Sequence, residues 1–87
     1  MKLSILVPCY NEVNTITTVI NSIRSSPVED QEIIIIDDAS SDGTEELLKT
    51  DTFKGVKVVT HSVNKGKGAS IRTGLKYVTG SIVIIQD

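Results

Sequence analysis

Short unbroken apolar runs alternate along this chain with stretches in which apolar residues recur every three or four positions. The first run, Leu3–Val7, is closed by Pro8, which lacks an amide proton and punctuates a strand. From Val13 the period changes. Val13, Ile16, Val19, Ile20 and Ile23 fall on one helical face, with Asn14, Thr17, Thr18, Asn21 and Arg24 opposite, and Ser25-Ser26-Pro27 stops the helix. Glu32–Ile36 reads as a second strand whose four successive isoleucines predict burial on both faces. Asp37 to Thr44 is a loop by composition, and Asp42 with Glu45 three residues on predicts a variant capping box opening a short helix through Leu47 and Leu48. Gly55 marks a turn before a third strand, Val56–Thr60. Asn64-Lys65-Gly66-Lys67-Gly68 is a second polar loop. Ile71, Leu75 and Val78 then recur at helical spacing, Gly80 is placed to end that helix in a left-handed conformation, and Ser81–Gln86 reads as strand four.

Four strands joined by three helices predict right-handed crossovers and an α/β fold, Rossmann-like, with a mainly parallel sheet. The expected strand order is 3-2-1-4. Ligands on such sheets bind beyond the carboxyl ends of the strands, where the order reverses. That crevice lies between strands 1 and 4 with strand 2 alongside, so the site is read from Pro8–Glu12, Asp37-Asp38 and Gln86-Asp87.

Composition narrows the classes. Eighty-seven residues make one domain at most, and the 39% hydrophobic fraction is aliphatic, with only 3% aromatic. The net charge of −2 gives no basic field for DNA or RNA, so no nucleic-acid partner is expected. The single cysteine, Cys9, excludes an internal disulfide and suits a reducing compartment, which points to the cytoplasm. The opening MKLSILVPCYNE reads as a strand rather than a signal peptide, and no apolar run approaches the roughly 20 residues of a membrane helix.

The three converging segments bring Glu12, Asp37, Asp38 and Asp87 to one edge of the sheet. Like charges gathered there need protons, a cation or hydrogen-bond donors. Each also has a plainer role: Glu12 at the positive end of the first helix, one of the Asp37-Asp38 pair bonding amides in its own loop. GxxxxGK[ST] is absent, and Gly66-Lys67-Gly68 follows strand 3, where a dinucleotide fingerprint requires strand 1. A nucleoside diphosphate bound here needs another neutralising group, such as a divalent metal on oxygen ligands.

The runs VPCYNE, IIIIDDASSDGT, NKGKGASIRTG and GSIVIIQD resemble the family 2 glycosyltransferases of GT-A fold, in particular the dolichyl- and polyprenyl-phosphate mannosyl- and glucosyltransferases. The resemblance runs from Leu3 to Asp87. It implies that Pro8, Tyr10, Asn11 and Glu12 line the donor's nucleoside pocket, with Ile36 supplying backbone and apolar contact. It further implies that Asp38 accepts a hydrogen bond from the base's ring N–H and that Lys67 meets phosphate. Asp87 stands where the first aspartate of the family's Asp-x-Asp metal motif would, as a ligand of Mg²⁺ or Mn²⁺ or a ribose partner. The implied reaction transfers a hexose from a GDP- or UDP-sugar to a lipid phosphate.

On this reading residues 1–87 are the N-terminal, nucleotide-sugar-binding part of a longer catalytic domain. The second metal aspartate, acceptor site and catalytic base lie outside it, so the 87 residues are not expected to catalyse transfer, and the parent is expected at the cytoplasmic face of a membrane. Ala39 and Ser41 stand where the commonest form of the second run has Gly and Thr. Three other readings compete. A sugar nucleotidyltransferase would carry a glycine-rich run where PCYNE stands. A phosphoacceptor receiver would need an aspartate where Thr60-His61-Ser62-Val63 stands. A non-catalytic piece that binds nucleotide or self-associates through its fourth, apolar strand is the last.

Overall fold

The computed structural model describes residues 1–28 and 30–87. In chain order the elements are β1 (Leu3–Cys9), α1 (Ile16–Arg24), β2 (Gln31–Asp37), α2 (Thr44–Leu48), a 3₁₀ turn (Asp51–Phe53), β3 (Lys57–Thr60), α3 (Lys67–Leu75) and β4 (Ile82–Ile85). The four strands form one parallel sheet in the order β3-β2-β1-β4, the order expected from the alternating pattern.

The isoleucine run shows why the sheet is covered on both sides. Successive strand residues point to opposite faces, so Ile33 and Ile35 join Ile5, Val7, Ile16, Ile20 and Ile23 in the layer beneath α1. Ile34 and Ile36 join Leu6 on the other face, packed by Ile71 and Val78. Each of these buried isoleucines contributes up to roughly 1.5–3 kcal/mol through area removed from water. The α3 layer is the thinner one, and Gly74 lets the helix settle onto it: a Cβ there would lie 2.7 Å from Ile36 Cδ1 and 3.1 Å from a Leu6 methyl.

Several local expectations are corrected. Pro8 does not close β1, which runs on to Cys9 opposite Asp37. Leu6 and Pro8 turn their backbone groups toward β4, and that ladder ends where Gln86 N–H donates to the Leu6 carbonyl (2.8 Å), so the missing N–H of Pro8 falls beyond it. Helix α1 starts at Ile16 rather than Val13, because the Thr15 and Ile16 amides both donate to the Glu12 carbonyl and turn residues 13–15 first. The Asp42–Glu45 capping box does not form. Gly43 is the N-cap of α2, Asp42 bonds the amide and hydroxyl of Thr44, and Glu45 pairs instead with Lys49. Leu75 ends α3 half-exposed instead of joining the core.

Gly80 does not cap α3, which ends five residues earlier, and its φ is not positive. It is small because the chain crosses the start of β1 there. A Cβ on Gly80 would sit 2.6 Å from Ser4 Oγ, 2.7 Å from the Lys2 carbonyl oxygen and 3.0 Å from the Ser4 amide nitrogen.

That crossing is fastened by Glu32. Its carboxylate accepts from Ser4 Oγ (2.5 Å), the Thr79 amide (2.7 Å) and Thr79 Oγ1 (3.0 Å), with Lys2 Nζ 3.7 Å away. Burial pushes the carboxyl up, but the Ser4 and Thr79 bonds and the Lys2 charge prevail and hold it at about 2 instead of 4.5. A depressed carboxyl contributes stability above its unfolded value and loses it as pH falls toward the folded one. Between pH 4.5 and 2 the protein should therefore lose on the order of 2 kcal/mol that Glu32→Gln never had. Thermal melts of both chains across that window should converge at low pH; curves that stay parallel would show the clamp is not ionic.

Candidate nucleotide site

Four loops meet at the carboxyl ends of the strands: Tyr10–Thr15 after β1, Asp38–Gly43 after β2, His61–Gly66 after β3 and Gln86-Asp87 after β4. Between them lies a cleft of about 160 Å³ bordered by Pro8, Tyr10, Glu12, Asp38, Lys67 and Asp87, with Cys9 and Ser70 at its floor. Six of the eight residues expected at the site thus face one space. Asn11 and Ile36 do not. Asn11, at φ +52°, takes the Ser41 amide on its side-chain oxygen (2.8 Å) and so pins the loop after β2. Ile36 is fully buried in the α3 layer.

Asp38 is the buried acid of the cleft. Its Oδ1 accepts from His61 Nδ1 (2.8 Å) and the Lys65 amide (2.9 Å), and its Oδ2 from the Gly66 amide (2.8 Å). Burial works to raise its pKa, but the bonds from His61 and the two amides outweigh it and hold the carboxyl below its ordinary value. Asn64 Nδ2 donates to the Asp38 carbonyl (3.2 Å), so the loop after β3 folds over this one residue. Asp38 retains acceptor capacity, since a carboxylate offers about four lone-pair sites and three are used.

The other acids each have a local partner. Asp37 is fully buried, and its Oδ1 accepts from the Ser40 amide (3.3 Å) and hydroxyl (2.5 Å). Glu12 accepts from Thr15 Oγ1 (2.5 Å). Asp87 pairs with Lys67 across the cleft mouth. Asp42 takes the Thr44 amide and hydroxyl on Oδ1 and the Val13 amide on Oδ2, while buried Thr44 Oγ1 accepts the Glu12 amide (3.1 Å), so the loops after β1 and β2 are tied together. Cys9 is buried, and burial followed by the charge of Asp37 pushes its thiol up to about 12, which leaves it an inert wall.

His61, Thr73, Asn64 and Thr44 are the site residues that sequence reading missed. His61 carried a signal, a lone histidine just after a strand, but its partner lies 23 positions earlier. Ala39 holds φ +60°, a left-handed conformation that costs a side chain about 1–2 kcal/mol and that glycine adopts freely.

The profile of glycosyl transferase family 2 matches residues 4–87. The chain belongs to this family. Among family members, it is 31% identical over 84 residues to an Escherichia coli UDP-Glc:alpha-D-GlcNAc-diphosphoundecaprenol beta-1,3-glucosyltransferase, covering 97% of this chain and 33% of that protein. The Staphylococcus aureus TarS 1–349 structure in complex with UDP-GlcNAc superposes with a TM-score of 0.89 at 29% identity, over 100% of this chain and 26% of that one. A Pyrobaculum calidifontis mannosyltransferase in complex with GDP-Man and Mn²⁺ gives 0.81 at 28% identity, over 94% and 26%. The fold is accordingly the GT-A arrangement. The chain spans 14–33% of the length of the curated family 2 relatives it matches.

A divalent cation fits this donor set only as a shared ligand. Asp87 offers one largely exposed carboxylate, and among the described residues no three His, Cys, Asp or Glu side chains are placed to hold a metal ion together. Hard cations take six or more oxygens, so most of the shell would come from water or phosphate. No helix among the described residues is long and apolar enough to cross a membrane.

Proposed function

We propose that residues 1–87 are the nucleotide-sugar-binding part of a glycosyltransferase catalytic domain. The whole protein transfers a hexose from a GDP- or UDP-sugar to a polyprenyl or dolichyl phosphate at the cytoplasmic face of a membrane. The single observation that carries this reading is the cleft at the β1–β4 switch point, where Asp38, Lys67 and Asp87 border one space. Asp38, held ionised with one acceptor position left, suits a base with a ring N–H, as in uracil or guanine. Lys67 leaves Asp87 to meet the diphosphate. Asp87 would be one ligand of Mg²⁺ or Mn²⁺ bound with the nucleotide, and the cation would neutralise phosphate charge. Pro8, Tyr10 and Glu12 wall the nucleoside.

Calorimetric titration tests this. UDP or GDP should bind, ADP at least tenfold more weakly, and Mn²⁺ alone far more weakly than Mn²⁺ with the nucleotide. A preference for ADP, or tight nucleotide-independent Mn²⁺ binding, overturns the assignment.

We also infer self-association through β4. Ile82, Val83, Ile84 and Ile85 are 39–45% exposed, and β4 is an edge strand with nothing paired on its outer side among the described residues. Such an edge offers free N–H and C=O groups to a second copy. Burying about 400 Å² of apolar surface there is worth roughly 10 kcal/mol before the entropy cost of association. Light scattering at micromolar concentration should report a dimer or larger species, shifted toward monomer by Ile84→Lys. A clean monomer with a sharp melt would refute the pairing.

A further inference from the structure

We propose that His61 is a positioning residue for Asp38 and thereby sets the base selectivity of the cleft. The proposal rests on the reading of Asp38 as the acceptor for a nucleobase N–H. His61 is 8% exposed and is held at three points, two on the imidazole and one on the backbone. Its Nδ1 meets Asp38 Oδ1 at 2.8 Å, its Nε2 meets Thr73 Oγ1 on α3 at 2.8 Å, and its own amide donates to the Asp37 carbonyl at 2.8 Å. An ionised carboxylate only accepts, so Nδ1 carries the ring proton and, in the neutral ring, Nε2 accepts from the Thr73 hydroxyl. The bonds then run one way, from Thr73 to His61 to Asp38, and each polarises the next.

The other two donors to Asp38 are amides of Lys65 and Gly66, in an exposed loop. The buried ring is therefore the rigid member of the set. It fixes the rotation of the carboxylate and, by donating to it, keeps it ionised. A carboxylate so held presents one acceptor position and no donor. Uracil and guanine meet it with a ring N–H; cytosine and adenine meet it with a ring nitrogen lone pair and are repelled. Without the imidazole donor the carboxyl is held by the two amides of the exposed loop alone and takes a proton more readily, and a protonated carboxyl can donate to the ring nitrogen of cytosine.

The experiment reads a ratio of affinities, which a merely structural loss would leave unchanged. UDP against CDP, and GDP against ADP, are titrated into the wild-type chain, His61→Ala, His61→Asn and Thr73→Val. Wild type should favour the N–H-bearing base at least tenfold. His61→Ala should compress that ratio to about twofold, and His61→Asn, whose amide can donate from the Nδ1 position, should restore it. Thr73→Val, which replaces the hydroxyl with a methyl of similar shape, should fall between and reports the same ratio if His61→Ala fails to fold. A ratio unchanged in both His61→Ala and Thr73→Val, with wild-type binding intact, overturns the role of His61 alone. Absence of any wild-type preference for UDP or GDP overturns the reading of Asp38 and this inference with it.

Discussion

Asp38→Ala should lower stability by about 3 kcal/mol and weaken UDP or GDP binding at least tenfold, because each bond to a charged acceptor contributes about 1.5–3 kcal/mol and the terms are not additive. The substitution strands His61 Nδ1 and the Lys65 and Gly66 amides together, and the loop after β3 loses what it folds around. Urea unfolding measures the first loss and calorimetry the second. Lys67→Ala should cost only a few-fold in affinity, because its ammonium and its Asp87 partner are 51% and 72% exposed and screened by water and salt. Equal losses in the two variants would mean that phosphate, not the base, dominates recognition. The pH dependence has a definite sign. Asp38 titrates below its ordinary value when folded, so its contribution is complete above the normal carboxylate range and declines as pH falls through it.

Gly80→Ala should destabilise the chain by about 2–3 kcal/mol, the upper part of the roughly 1–3 kcal/mol that forcing extra carbon into a filled space costs. Two of the three atoms a Cβ would strike are backbone, the Lys2 carbonyl oxygen and the Ser4 amide nitrogen, and neither can swing aside as a side chain does. The Lys2 carbonyl also receives the Ser81 and Ile82 amides, so displacing it unfastens the start of the β1–β4 ladder. Gly68→Ala is the control. Its Cβ would meet only Arg72 Nη1, at 3.5 Å, inside a helix where alanine is favoured. Thermal unfolding should separate the two variants by well over ten degrees if Gly80 is as tightly enclosed as its neighbours indicate. Similar melts would mean that the crossing relaxes.

The strands were legible because a parallel strand buried on both faces needs unbroken apolar sequence, and Ile33–Ile36 can be little else. Strand order followed from the alternation of elements. The ends of helices were less legible. Val13 sits in phase with the apolar face of α1, yet the Glu12 carbonyl captures two successive amides and makes a turn of residues 13–15. Gly80 looked like a helix terminator because its true constraint, the passage of β1 close by, comes from 76 positions away. The same distance problem hid His61. Pro8, Glu12, Asp38 and Asp87 were readable as strand-end residues, whereas nothing local says that the loop after β3 will close over Asp38.

Synthesis meets this sheet in an awkward order. Of the four strands β1 is made before the others; β2 can cover one of its sides, but the other side has no partner until β4 is made. From Asp37, the end of β2, to Ile85, the end of β4, is 85 − 37 = 48 residues. At roughly 5–20 residues per second a ribosome takes about 2–10 seconds to make them. For that interval Leu3–Leu6, later the centre of the sheet, is an unguarded edge on a nascent chain. A chaperone at the ribosomal exit would find its target in β1 rather than in β4, and synonymous codons that slow translation between β2 and β4 would lengthen the exposure.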